Sequence, residues 1–411
     1  MTATRAFLRQ NFRWLLPGML LTFLSGFGQT YFISLFAGEI RAQFGLSHGE
    51  WGGLYSLGTG ASAVVMIWAG VLTDHFRVRA LGAVILALLA AASILMAELS
   101  AAWALPFVIF ALRFAGQGML SHIAVVAMAR WFVATRGRAL SIAALGFSLG
   151  EAFLPMVVVS AMTAANWQSL WWIAASVSLA GIPVLWALLA QERTPQSHAR
   201  GSQSLGMRGQ HWTRAQCLRH RLFWLMVPAL LGPSAFNTAF FFQQVHYAEI
   251  KGWAHLELVA LYPFFTLTSI AAMLLSGWAL DRWGTARLIP WSQVPMVLAF
   301  VLFSQAQVPV MALAGLFFMG LTAGANATLV AAFWAEFYGT RHIGAIKSAA
   351  AAVMVLGSAI GPAITGGLID LGIGLPRQYL GVAVYFLVTT TLMVIGVARA
   401  RHDLPRRVDP D

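Results

Sequence analysis

The chain has 411 residues, of which 59% are hydrophobic and only 10% charged, and it carries a formal net charge of +12. Such a composition excludes a water-soluble globular protein, whose surface needs about a quarter of all residues charged, so lipid must be the solvent for most of the surface. The positive charge does not signal nucleic-acid binding, because the basic residues sit in short connections between apolar runs, where topology signals of membrane proteins belong.

In chain order, the basic stretch Thr2 to Arg13 runs directly into the apolar segment 14–37. That segment is too long for the apolar region of a signal peptide and is expected to be an uncleaved first span. About 20 apolar residues are needed to cross roughly 30 Å of hydrocarbon. On that measure further spans are expected near 51–73, 80–97, 103–129, 139–163 and 169–190. A second set follows near 222–246, 257–280, 288–306, 310–335, 345–369 and 379–398. The expected organisation is a six-helix bundle over 1–190, a polar and basic cytoplasmic linker over 191–221, and a second six-helix bundle over 222–411. The single cysteine, Cys217, falls in the linker, so no intramolecular disulfide can form.

The basic residues fix the expected orientation. With the first span entering from the cytoplasm, Arg41, Lys251 and Arg377 are the basic residues of the outer loops and Arg113 lies inside a span; all the others of the 26 Lys and Arg fall on the cytoplasmic side. This asymmetry follows the positive-inside rule and implies a multi-pass protein of the cell (inner or plasma) membrane with both termini cytoplasmic.

The two halves repeat at a shift of 207 residues. Gly70-x-x-x-Asp74 pairs with Gly277-x-x-x-Asp281, Gly137 with Gly344, Gly150 with Gly357, and Pro155 with Pro362. Six spans per half give both halves the same orientation, hence a parallel repeat about an axis along the membrane normal. The loop Gly70-Val-Leu-Thr-Asp74-His-Phe-Arg77-Val-Arg79, its better copy Gly277-Trp-Ala-Leu-Asp281-Arg282-Trp-Gly284-Thr-Ala-Arg287, and Arg113-Phe-Ala-Gly116-Gln-Gly118 resemble signatures of the major facilitator superfamily. The resemblance covers essentially the whole chain and implies an all-α membrane fold of twelve transmembrane helices in two parallel six-helix repeats. The first loop departs from the pattern at His75 and Val78. The stretch from Trp131-Phe132 to Gly150 resembles the monocarboxylate or oxalate–formate branch, although that branch's first-span motif is absent.

An ionisable residue inside a span is costly and is a functional candidate by default. Arg113 is expected about 15 Å deep, counting ten residues from Trp103 at 1.5 Å each. Glu151 on the fifth span is expected at a similar depth. One reading pairs them, with protonation of Glu151 or an arriving anion freeing Arg113; the other has Arg113 brace polar groups of the first span such as Gln29. The remaining substrate or coupling candidates are Gln29 and Thr30, Gln117 and His122, Asn237 and Gln243, and Asn326 and Thr328. These fall in spans one, four, seven and ten, which line the central cavity in the family resembled. The alternative for each is a helix–helix hydrogen bond, worth about 0.6 kcal/mol on average. Unperturbed histidine titrates near neutrality, so His122 is a possible proton carrier or else a packed neutral residue.

Gating candidates are Asp74, Arg77, Arg79, Asp281, Arg282 and Arg287. Asp74 facing the positive N-terminal end of span eleven, and Asp281 facing that of span five, would latch the halves together; the arginines would hold loops, face lipid phosphates or simply set topology. Arg341 and Lys347 at the start of span eleven read as topogenic, with Lys347 reaching the cavity as the alternative. The glycine pairs Gly146/Gly150, Gly320/Gly324 and Gly357/Gly361 allow close helix approach.

Three function classes compete for such a chain. An ATP-driven enzyme needs a phosphate-binding loop in which Gly precedes Lys, yet Lys251 and Lys347 follow Ile250 and Ile346. A channel needs a filter or a ring of pore charges, and none is visible. The expectation is therefore a secondary active transporter, not an enzyme, moving a small solute by alternating access. A small organic anion such as a monocarboxylate, coupled to protons or exchange, is expected from Arg113; efflux of amphipathic or drug-like compounds is the alternative, from aromatic residues such as Phe240, Phe241, Phe242, Phe264 and Phe265. No cofactor or metal is expected; the partners are the solute and membrane lipid, and the chain is expected to act as a monomer.

Overall fold

The computed structural model describes residues 2–132, 135–191 and 205–404, and the secondary structure of these residues is helical. In hydrocarbon, every backbone N–H and C=O must be satisfied within its own segment, which long helices achieve. Among the described residues, eleven helices are long and apolar enough to cross a membrane, and the bent pair Arg9–Gly28 and Thr30–Phe44, counted as one span, brings the number to twelve. The ends follow the local chemistry. Ser47 and Glu50 form a reciprocal capping box at the start of His48–Ala69, and the Asn166 side chain accepts from Ser169 N–H to start Trp167–Leu188. Pro309 opens the longest helix, Pro309–Tyr338, at a position where its missing N–H costs nothing.

The described residues fall into two compact units, one within 1–200 together with Phe241–His246 and one within 201–240 and 247–411. In the first unit, span two packs on span four, three on six, and one on five. In the second, span eight packs on ten, nine on twelve, and the glycines of span eleven on span seven, so each pairing recurs. The contacts are made by small residues. A Cβ on Gly58 would stand 2.6 Å from the Pro106 carbonyl oxygen, and one on Gly357 would stand 2.6 Å from that of Leu231. Gly146, Gly324 and Gly361 likewise sit against the backbones of Met19, Ser269 and Ala235. Without hydrophobic driving force between helices in lipid, such close backbone approach supplies the packing. Large apolar side chains such as Leu57, Trp68, Phe107 and Leu267 point outward, as a lipid-facing surface requires.

Two boundaries differ from those read in the sequence. The described part of the expected linker belongs to the second unit and packs on it. Met207 and Cys217 are buried in a cluster with Phe223, Phe333, Trp334, Phe337 and Tyr338, because apolar side chains in a polar stretch still seek cover. Trp212 N–H donates to the Tyr338 carbonyl at 3.0 Å, and Arg208 pairs with Asp403 at 3.0 Å. Residues 192–204 of the expected linker lie outside the described residues. The second difference is Phe241–His246, at the end of the seventh span, which groups with the first unit: the Gln244 amide donates to the Tyr31 carbonyl and the Ser34 hydroxyl, and Phe242 stacks on Trp51.

Candidate functional site

In the first unit the polar candidates gather where the first span breaks. The chain passes from a 3-10 turn, Ser25–Gly28, through extended Gln29 (φ −88°, ψ 155°) into the short helix Thr30–Ile33. The break leaves carbonyls without intrahelical donors. Span four meets it with Arg113–Leu120, a π-helical stretch that includes the Arg113-Phe-Ala-Gly116-Gln-Gly118 motif; such bulges are frequent at functional sites. Gly28 and Gly116 make the approach possible, since a Cβ on Gly116 would stand 2.6 Å from Gly28 Cα. Arg113 is 1% exposed, donates through Nη1 to the Gly28 carbonyl at 3.2 Å, and lies 5.6 Å from the ring centre of Tyr55. The Tyr55 hydroxyl in turn donates to Thr30 Oγ1 at 2.7 Å. Gln29 is also buried. A cation held at the negative end of a broken helix, over an aromatic face, is well placed electrostatically.

Glu151 is half-buried on the fifth span, within electrostatic range of the Tyr31 hydroxyl, which receives no hydrogen bond. The hydrogen bond of Arg113 runs to the first-span backbone, not to the Gln29 side chain named in the sequence reading. Gln117 is half-buried in the π-helical stretch, and His122 packs over Gly70.

The second unit holds a cavity of about 490 Å³ between spans seven, ten and eleven. Its walls are mostly apolar, with Leu230, Pro233, Val330, Trp334 and Met354 among them, and its polar side chains are Ser234, Asn237, Thr238, Asn326 and Lys347. Asn237 and Asn326 thus come together here. Neither amide carbonyl receives a hydrogen bond, and the buried Trp334 indole N–H has no acceptor. A buried polar group left unpaired costs about 1–3 kcal/mol, so this cavity carries unmet hydrogen-bonding capacity on both the donor and acceptor side. Thr328 is elsewhere engaged, donating to the Met273 carbonyl at 3.3 Å, and Gln243 is buried in the first unit's Phe241–His246 segment.

Of the gating candidates, the Asp74 and Asp281 side chains lie outside the described residues. Arg79 lies over the Trp186 ring at 5.9 Å and Arg282 over Trp278 at 5.9 Å, while Arg77 and Arg287 are exposed. Two loop contacts escaped sequence reasoning. Arg130 Nη1 donates to the Thr73 carbonyl at 2.7 Å, and the Glu336 carboxylate accepts from Thr285 N–H at 3.0 Å and from its hydroxyl at 2.7 Å. Tyr55 and Trp334 were also missed, since aromatic residues in an apolar span carry no signal of their polar ends. Lys347 lines the cavity although its position near a helix start reads as topogenic. Among the described residues, no group of three or more His, Cys, Asp or Glu could hold a metal.

A family model described as the Major Facilitator Superfamily matches residues 18–289 and 261–410. Among solved structures, a bacterial homologue of the human lysosomal transporter Spinster, in an inward-facing and unoccupied conformation, has 14% identity and a TM-score of 0.72, with 96% of this chain and 98% of that chain covered. The nucleoside transporter NupG has 16% identity and a TM-score of 0.71, with 93% of this chain and 98% of that chain covered. At such identities the likeness is one of fold. No curated protein matches the chain in sequence.

Proposed function

This chain belongs to the major facilitator superfamily and is a membrane transporter, not an enzyme; on that premise we propose that it is a secondary active carrier of a small organic anion, moved by alternating access and coupled to protons. The observation that carries the anion reading is Lys347, an ammonium group on the wall of a largely apolar cavity whose lining includes two asparagines with buried, unsatisfied amide oxygens. A cationic group against hydrocarbon walls suits a carboxylate attached to an apolar body. Arg113 serves this reading differently from the sequence expectation: it steadies the first-span break, and the solute's carboxylate goes to Lys347. Glu151 is the carboxyl we assign to the coupling proton, since a half-buried acid inside a span is a natural proton relay.

Uptake of radiolabelled monocarboxylates into proteoliposomes, with and without an imposed pH gradient, tests the proposal. Uptake stimulated by the gradient in wild type and lost in Lys347→Ala is expected. Uptake unaffected by Lys347→Ala would remove its basis. A second reading, efflux of amphipathic compounds, is favoured by the apolar walls formed by Leu230, Pro233, Val330 and Met354; resistance on overexpression without acid uptake would support it. We also infer the cell membrane as its location, with both termini cytoplasmic, from the confinement of basic residues to one set of loops. Reporter fusions at the C-terminus and in an outer loop, such as the one carrying Arg377, check that orientation.

A further inference from the structure

The cavity of the second unit has two chemically different ends. Trp334 lies four residues before the end of Pro309–Tyr338, and Lys347 lies four residues after the start of Ile343–Asp370. These two helix ends are joined by a short turn, so Lys347 and Trp334 mark one end of the cavity. Asn326 is eight residues before Trp334 on the same helix, about 12 Å further along the axis. Asn237 lies sixteen residues into Arg221–Phe242, a helix that starts at the end where His220 meets Tyr338 at 3.3 Å. Asn237 and Asn326 therefore mark the opposite end, and apolar wall lies between the two polar ends.

Building on the organic-anion reading above, we propose that this cavity selects elongated monocarboxylates bearing a hydroxyl or amino donor remote from the carboxylate. Lys347, at the same end of the cavity as Trp334, receives the carboxylate. The amide oxygens of Asn237 and Asn326, buried in the wall and satisfied by no protein donor, turn inward to accept from the ligand's remote O–H or N–H. The body between spans on the order of 10 Å, set by the helical rise, and lies against Leu230, Pro233, Val330 and Met354. A short acid cannot reach both ends, and an acid without the donor leaves the amide carbonyls unpaired. Sites built around a hydrogen bond discriminate strongly against analogues that lack it.

Two probes differing by one hydroxyl test this: 3-(4-hydroxyphenyl)propionate and 3-phenylpropionate, measured as equilibrium binding to the purified full-length protein. In wild type the hydroxylated acid is expected to bind at least about tenfold more tightly. In Asn237→Leu/Asn326→Leu the preference should vanish while 3-phenylpropionate binding persists; should that variant misfold, the single Asn326→Ala change reads the same preference. Equal affinity of the two acids in wild type would overturn the inference and leave the organic-anion reading standing. Binding of neither acid would overturn both.

Discussion

Arg113 donates to the carbonyl of Gly28 at 3.2 Å, so a permanent cation closes the end of the first-span helix where it breaks before Gln29. The guanidinium offsets the partial negative charge of that helix end and fills the acceptor that a broken helix exposes. Removing it leaves both uncompensated. Arg113→Ala is expected to lower the stability of the detergent-solubilised protein by about 1.5–3 kcal/mol, the range for hydrogen bonds to charged groups, measured as a drop in Tm. Lys347→Ala, at an exposed side chain, should lower Tm less than Arg113→Ala does and abolish acid binding. The reverse pattern would exchange the roles given to the two cations.

The same junction depends on two glycines. With Gly116 Cβ space already occupied by Gly28 Cα and N, Gly116→Ala must push the fourth span off the first. Overpacking of this kind costs about 1–3 kcal/mol. A lower Tm is expected for Gly116→Ala, whereas Gly53→Ala, where a Cβ meets open space, should leave it unaltered.

The docking of the connector is expected to depend on pH through His220. Burial, and then the Arg208 charge, hold its pKa below the ordinary histidine value, with Asp403 opposing them. The folded state therefore binds the proton less readily than the undocked state, so docking is fully stable at neutral pH and weakens as pH falls below about 6.5. Limited proteolysis of the 205–219 segment should accelerate between pH 7.5 and pH 5, and His220→Gln should flatten that dependence.

Cys217 reports on the same docking. Burial pushes its thiol up to about 12, against the opposing hydrogen bond with Tyr338. The thiolate is the reactive form, so alkylation by a maleimide at pH 7.5 is expected to be far slower than for an exposed cysteine. Trp212→Ala, which removes the ring packed edge-on against Tyr338 at 5.5 Å, should speed it markedly.

How much of this was legible beforehand varies with the physics involved. All twelve spans emerged from hydropathy, because the cost of a bare backbone in lipid is the same for every span and forces about 20 apolar residues each time. The paired glycines were visible as spacing. The Gln29 break was not, since Gly-Gln-Thr in an apolar run carries no distinctive helix-stop signal, and the partner that stabilises it sits on span four. The latch expected of Asp74 and Asp281 rests on side chains that lie outside the described residues.

The amino-acid order alone determined lipid as the solvent, the number of spans, the internal duplication and the family signatures. Each of these is a local or periodic property that survives without knowledge of neighbours. Tertiary structure decided what the polar residues meet. Arg113 turned to a backbone carbonyl, Thr328 to Met273, and Asn237 and Asn326 to a shared cavity, because inside a bundle each donor takes whichever acceptor the neighbouring helix offers, and that choice depends on how residues far apart in the chain come together.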